Sequence, residues 1–309
     1  MAPAFTNSSL PRLLITGTSG FLGWHLCRQA CEDWQVFGTF LNHPIEILGV
    51  SCQAINLTDK AAVQQYLQEL QPDAVIHTAA LSKPNQCEQE PELSFLANVE
   101  ATCNLAEFCG KYQIPLVFTS TEQVFDGQSA PYLETDSPSP INVYGRHKME
   151  AEGLIQALHP RAVICRMPLM YGPPSPTANS FVQGFIQTLK AQKPLTLFVD
   201  EYRCPVYVED AAKGLLLALG KGTGILHLGG PERISRYDFG LLLAEVFDLD
   251  ANYIRRCYQK DVSMPAARPG DLTTRNDRAY AIGYSPRNVR DGLISLRHVM
   301  ENLPQISDA

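Results

Sequence analysis

A tyrosine and a lysine four residues apart, Tyr144 and Lys148, are the pair in this sequence with the most to offer chemically. The run from Tyr144 to Leu158 has helical composition and periodicity, so both side chains leave the helix on one face. A phenol is a poor acid or base near neutrality, because its reference pKa is about 10. An ammonium beside it stabilises the phenolate, and the phenol can then exchange a proton with a carbonyl oxygen. Upstream, Phe118-Thr119-Ser120-Thr121-Glu122 closes a predicted strand. Side chains at the carboxyl ends of parallel strands face the ligand crevice. Thr121 or Ser120 could hydrogen-bond a substrate oxygen, and strand alternation lets only one of them point inward. Glu122 could bind a sugar hydroxyl or serve as an acid. Asn98 is poorly suited to a helix interior on propensity alone, which points to a buried role linking helix backbone and water near Lys148.

A second constellation stands near the start of the chain. Thr16-Gly17-Thr18-Ser19-Gly20-Phe21-Leu22-Gly23 spaces three glycines by three and three, after a strand and before a helix. Gly17 allows a tight turn, Gly20 removes the Cβ that would strike a pyrophosphate, and Gly23 permits close helix–strand packing. The unpaired N–H groups of the helix start then face phosphates. A dinucleotide held there would bring a nicotinamide to Tyr144, whose proton transfer could accompany hydride transfer. The stretch Gly38 to His43 has no carboxylate to hold an adenosine ribose, which favours NADP over NAD.

These residues need a frame. Leu13–Thr16, Val36–Leu41, Ala74–Thr78, Leu116–Ser120 and Arg161–Met167 read as short buried strands. Between them lie predicted helices from about Phe21 to Cys31, from Thr58–Asp59 to Pro72, over 91–110, and from Tyr144 to Leu158. This alternation predicts an α/β fold: a Rossmann-like, mostly parallel sheet with helices on both faces. After Pro168 the segment YGPPSPTANS marks a change of texture. Helices near 179–192, 208–219 and from Tyr237, with strands near 195–199 and Ile225–Leu228, follow it. We therefore expect 1–168 to be an NAD(P)-binding domain. Residues 169–309 should form mainly a smaller C-terminal substrate lobe, with segments that could return to the first.

The bulk properties exclude several classes. With 45% hydrophobic and 18% charged residues over 309 positions, the chain is an ordinary globular one. A net charge of −7 offers no general attraction to nucleic acid. The nine cysteines form no CxxC pair and sit mostly in apolar runs, so reduced buried thiols are expected. The seven histidines show no ligand spacing, and no metal is expected. MAPAFTNSS reads as a polar tail, and LPRLLITG is too short for a signal peptide. No stretch approaches the roughly 20 apolar residues that span a bilayer. A cytoplasmic protein is the expectation.

Taken together, GTSGFLG (17–23), HTAA (77–80), STEQVFDG (120–127), YLETDSPSPINVYGRHKMEAE (132–152) and RMPLMYGP (166–173) resemble the extended short-chain dehydrogenases/reductases. YRCPVYVEDAA (202–212) and ARPGD (267–271) extend the resemblance into the second lobe. The similarity is greatest to the branch containing dTDP-4-dehydrorhamnose reductase. It implies Tyr144 as proton donor, Lys148 as its electrostatic partner, Thr121 as the hydroxyl residue and Asn98 as the helix asparagine. It implies cofactor contacts from Gly17, Thr18, Ser19, Gly20, Phe21, Leu22 and Gly23, from Asn56 and Leu57 near the adenine, and from Ala79 and Ala80. An acid is more usual where Asn56 stands, and Glu122 replaces a shorter aspartate. The pair Glu122-Gln123 lacks the second acid of nucleotide-sugar dehydratases. Arg203 and Arg268 are implied for a substrate diphosphate. The expected activity is reduction of a nucleotide-linked 4-keto-6-deoxy sugar. The regulatory β subunit of methionine adenosyltransferase shares the motif set, which implies the alternative of an NADP-binding regulatory subunit with an enzyme partner. Epimerisation of a nucleotide sugar is the third option, and a homo-oligomer fits any of them.

Overall fold

In the computed structural model residues 10–302 are described, and MAPAFTNSS lies outside them. The chain opens on β1 (Arg12–Thr16), buried from Leu13 onward, and turns through the glycines into α1 (Phe21–Ala30). β2 (Gln35–Phe40) and β3 (Val50–Ala54) follow. α2 (Lys60–Leu70) starts where the Asp59 carboxylate accepts from the N–H groups of Ala61 and Ala62. β4 (Ala74–His77) leads to two short helices with proline in their first turns, α3 (Pro84–Gln89) and α4 (Pro91–Phe95). A π-helical turn over Leu96–Glu100 connects α4 to α5 (Ala101–Tyr112). β5 (Leu116–Thr121), α6 (Val143–Leu158) and β6 (Val163–Met167) come next.

Beyond them lie β7 (Met170–Tyr171), α7 (Phe181–Lys190), β8 (Leu195–Phe198), β9 (Tyr202–Arg203) and β10 (Val206–Tyr207). α8 (Val208–Lys221), β11 (Ile225–His227), β12 (Ile234–Ser235), α9 (Arg236–Val246), β13 (Ile254–Cys257), α10 (Asp277–Ala281) and α11 (Val289–Asn302) complete the order.

Seven parallel strands form the main sheet, in the order β3-β2-β1-β4-β5-β6-β11. The chain winds outward in one direction from β1 and in the other from β4, so the topological switch point lies between these two strands. Leu13, Ile15 and Val117 face α1 and α8, where they pack with Leu22, Leu26, Ala211 and Leu215. Leu14, Val75 and Phe118 face α2, α5 and α6 and pack with Leu67, Leu105, Ala151 and Ile155. Helices thus cover both faces, and the expected α/β architecture is borne out. A separate core joins α7, α9 and α11 through Val182, Ile186, Leu243, Leu293 and Leu296. The chain after 168 also contributes to the main sheet: β11 pairs with β6, and α8 packs against the same core as α1.

Three elements differ from expectation. β3 is an edge strand whose residues are mostly exposed, so it carries no alternating apolar signal. The single helix expected over 91–110 is broken by the π turn. α11, for which no helix was expected, forms with Val289, Leu293 and Leu296 on one buried face.

The glycine turn is held by sterics. A Cβ at Gly23 would stand 2.2 Å from the Gly17 carbonyl oxygen, and one at Gly17 would meet the Ala79 Cα at 2.7 Å. Gly17 also takes φ +74°, which L side chains rarely adopt. Gly23→Ala should therefore destabilise the fold by about 1–3 kcal/mol as α1 is forced off the sheet. Urea denaturation checks this, and an unchanged midpoint would show that the helix does not depend on that close approach.

Candidate active site

The crevice at the switch point is built from the ends of β1, β4 and β5. The Thr78 hydroxyl donates to the Thr16 carbonyl at 2.6 Å, and the N–H groups of Thr78 and Ala79 donate to the Thr16 hydroxyl at 3.2 and 3.3 Å. The HTAA segment is thereby fastened against the glycine turn. His77 sits beneath it, fully buried between the hydroxyls of Thr16 (2.7 Å) and Thr102 (3.0 Å). Burial and then the Lys148 charge depress its pKa to about 3, so it is a neutral strut. α1 begins at Gly20 with no side-chain cap, leaving the first-turn N–H groups free to face an anion. A Cβ at Gly20 would meet only the Gly17 carbonyl, at 3.1 Å, so the approach to those N–H groups stays open. These features fit a dinucleotide pyrophosphate. Thr18 is buried, its hydroxyl donating to the Thr39 carbonyl at 3.1 Å. Ser19 offers its carbonyl to Thr177 at 2.7 Å, while Phe21 and Leu22 lie on α1.

Tyr144 and Lys148 are positioned by one close approach. Asn142 caps α6 by accepting from the Gly145 N–H at 2.8 Å, and its amide donates to the Gln123 side chain and the Ala267 carbonyl, both at 3.1 Å. Gly145 lets the helix touch the end of β5, since a Cβ there would stand 2.1 Å from the Gln123 carbonyl oxygen. Tyr144 is consequently buried next to Val143, Cys87 and Leu81. Lys148 is 1% exposed, with Nζ 3.9 Å from the centroid of the Phe118 ring.

Thr121 is the hydroxyl beside Tyr144, and it also caps the short turn Glu122–Val124 by accepting from the Gln123 N–H at 3.3 Å. Ser120 points the other way, donating to Glu152 at 2.5 Å. Of the two hydroxyls, Thr121 is the one beside Tyr144.

Burial dominates the electrostatics of the pair. Burial, reinforced by the neighbouring Cys87, raises the Tyr144 pKa well above its ordinary value, and the Thr121 hydroxyl opposes it. Burial pulls the Lys148 pKa down to about 7, with the charge of Glu152 resisting. Asn98 is also placed differently from the expectation. Its amide clamps the Leu81 backbone, accepting from the N–H and donating to the carbonyl, both at 3.0 Å. Its role is to hold the loop after β4, and it sits in the π turn that interrupts the helix. Asn56 is exposed and folds back on the Thr58 N–H and hydroxyl, while the carbonyl of half-buried Leu57 accepts from Asn104. Leu41, Asn42 and His43 are exposed after β2. Among the described residues no cluster of three or more His, Cys, Asp or Glu could hold a metal ion.

Residues 11–301 match the family described as the RmlD substrate binding domain. The chain belongs to this family. Methionine adenosyltransferase 2 subunit beta of Xenopus laevis is 31% identical over 252 residues, which span 79% of this chain and 74% of that protein. The probable low-salt glycan biosynthesis reductase Agl14 of Haloferax volcanii is 31% identical over 259 residues, 82% of this chain and 86% of that one. The dTDP-4-dehydrorhamnose reductase of Bacillus anthracis, solved in complex with NADP, superposes with a TM-score of 0.84 at 25% identity, covering 95% of this chain and 100% of that one. The resemblance carried by the motifs is borne out. Among the described residues no helix of this RmlD-family chain is long and apolar enough to cross a membrane.

A buried charge cluster flanks the site. Arg203 bridges Glu122 through Nε at 3.2 Å and Glu201 at 3.6 Å, and donates to the carbonyls of Tyr202, Pro269 and Gly270. Every arm of its guanidinium is occupied within the chain, so the expected diphosphate contact does not fit its geometry. Arg268 is half-buried and donates to Asn85 at 2.8 Å.

Sequence reasoning passed over Glu201 and Arg236, which pair at 3.2 Å, because neither lies in a recognisable motif. Gly145 was also missed. A glycine in the first turn of a helix, straight after a candidate acid, was the available signal.

Glu122 is 3% exposed, and its second carboxyl oxygen has no partner. Burial outweighs the Arg203 charge and pushes its pKa up to about 8. A folded-state value above the unfolded one of about 4.3 stabilises the fold at low pH, and that contribution is lost as pH rises to about 8. Glu122→Gln cannot ionise, so its melting temperature relative to the parent should climb by a few degrees from pH 5 to pH 9. A difference that stays flat across this range would mean that Glu122 titrates normally.

Proposed function

We propose that this protein reduces a ketone on a nucleotide-linked 4-keto-6-deoxy sugar, with NADPH or NADH as the reductant. The observation that carries the reading is the meeting of Tyr144 and Thr121 at the end of β5, with Lys148 behind them and the glycine turn alongside. The NADP in the complex of the Bacillus anthracis reductase supports a nicotinamide dinucleotide here too. Gly17, Thr18, Ser19, Gly20, Phe21, Leu22 and Gly23 would hold its pyrophosphate, with Ala79 and Ala80 along the crevice and Asn56 and Leu57 toward the adenine. The loop after β2 brings no carboxylate against a 2′-phosphate, which favours NADP. When bound and reduced, such a cofactor supplies a hydride.

The side chains then divide the work. Tyr144 gives its phenolic proton to the ketone oxygen, against the burial that raises its pKa. The Thr121 hydroxyl holds the same oxygen. Lys148, as ammonium, stabilises the phenolate that is left. Glu122 takes a sugar hydroxyl with its unpartnered oxygen, and Arg203 keeps that carboxyl in place. Arg268 reaches the diphosphate. The single acid at Glu122-Gln123 leaves no second carboxylate for dehydration.

A second reading rests on the likeness to methionine adenosyltransferase 2 subunit beta. On that reading the chain binds NADP and acts through an enzyme partner. Turnover separates the two. Tyr144→Phe should lower the rate of NADPH oxidation with a nucleotide-linked 4-keto-6-deoxy sugar by about 10²- to 10⁴-fold while leaving cofactor affinity unchanged. An equal rate removes Tyr144 from the chemistry. No turnover by the parent protein, with one stoichiometric enzyme retained from native extract, favours the regulatory reading.

A further inference from the structure

We infer that Glu152, clamped by Arg166 and Ser120, is a positioning residue that keeps Lys148 in its ammonium form. The inference rests on the proposed roles of Tyr144 and Lys148. Tyr144, Lys148 and Glu152 stand four residues apart along α6, and all three are buried against β5. Among the described residues no carboxylate lies within salt-bridge distance of Lys148, whose closest charge-stabilising neighbour is the Phe118 ring at 3.9 Å. Glu152, 4% exposed, is the fixed anion on the same helical stripe.

Its hold is complete. One carboxyl oxygen accepts from Arg166 Nε at 3.0 Å and from the Ser120 hydroxyl at 2.5 Å. The other accepts from Arg166 Nη2 at 2.8 Å. Arg166 is itself wedged over the Phe125 ring at 4.9 Å, and that ring stacks on Tyr132. A carboxylate gripped in this way cannot swing up to neutralise Lys148 directly. It acts through space, as the α6 end of an ion pair whose positive end, Arg166, lies on β6.

The other titratable groups facing Lys148 supply no such charge. His77 on β4 is neutral, with its pKa depressed to about 3 by burial. The Cys87 thiol on α3 is pushed up by burial, and so is the Tyr144 phenol on α6 itself. Burial brings the Lys148 pKa down to about 7, and Glu152 is the foremost group opposing that fall. The same clamp turns Ser120 away from the crevice and leaves Thr121 as the hydroxyl beside Tyr144.

The test reads Lys148 directly. Full-length protein labelled with ¹³C at the lysine Cε positions is titrated by NMR, with the resonance assigned through Lys148→Met. Glu152→Gln should lower the Lys148 midpoint by about one pH unit or more, and Glu152→Asp should largely restore it. The alkaline limb of kcat should move to lower pH by the same amount, with KM for the sugar little changed. A folded Glu152→Gln protein whose Lys148 midpoint stays within about 0.3 units of the parent overturns the inference.

Because Glu152→Gln alone also leaves the Arg166 charge uncompensated, the double variant Glu152→Gln/Arg166→Gln is titrated beside it. A lowered midpoint there supports the inference and a parental one overturns it. A shifted midpoint in a protein without turnover leaves the inference standing and removes the reductase reading instead.

Discussion

Helix α6 can lie on the end of β5 only because residue 145 has no side chain. With 2.1 Å between a hypothetical Cβ and the Gln123 carbonyl oxygen, even a methyl group would push the helix outward. That contact sets the position of everything above it. The Asn142 cap ties the helix start to Gln123 and to the 267–271 segment, so two regions of the chain meet at one point. From there the four-residue spacing carries Tyr144 to Thr121, Lys148 over Phe118 and Glu152 to Arg166. One stripe of a helix on one central strand thus brings a phenol, an amine and a carboxylate into line.

The same tight packing removes water, and the ionisable groups respond in a consistent way. Burial pushes Tyr144 and Glu122 upward and Lys148 downward, so each is driven toward its neutral form. Other buried ionisable side chains meet a partner of opposite type, as Glu152 meets Arg166 and Glu201 meets Arg203. Such a pocket responds strongly to an arriving charge, because little solvent remains to screen it.

Much of the frame was legible in the residues. Leu13–Thr16, Ala74–Thr78 and Leu116–Ser120 are short apolar runs bounded by turn residues, and all three became strands of the sheet. The glycine turn announced its position through its spacing together with the strand before it and the helix after it. Edge strand β3 left no signal, since an exposed strand needs no apolar face. The π turn at Leu96–Glu100 was hidden because its residues are good helix formers on either side of Asn98. Around the site, a local motif could single out Tyr144, Lys148 and Thr121. It could not reveal that Arg203 is spent on carbonyls 66 and 67 residues away, nor that Arg236 joins the cluster, because those are facts of tertiary contact.

The seventh strand has a consequence for biogenesis. β11 pairs with β6, yet some sixty residues are synthesised between them. Until Ile225–His227 emerges, β6 is a bare sheet edge with apolar neighbours, open to pairing with another chain. A nascent or clipped polypeptide ending near residue 168 would therefore be prone to self-association. Fragments of this protein are better cut outside the span that returns to close the sheet.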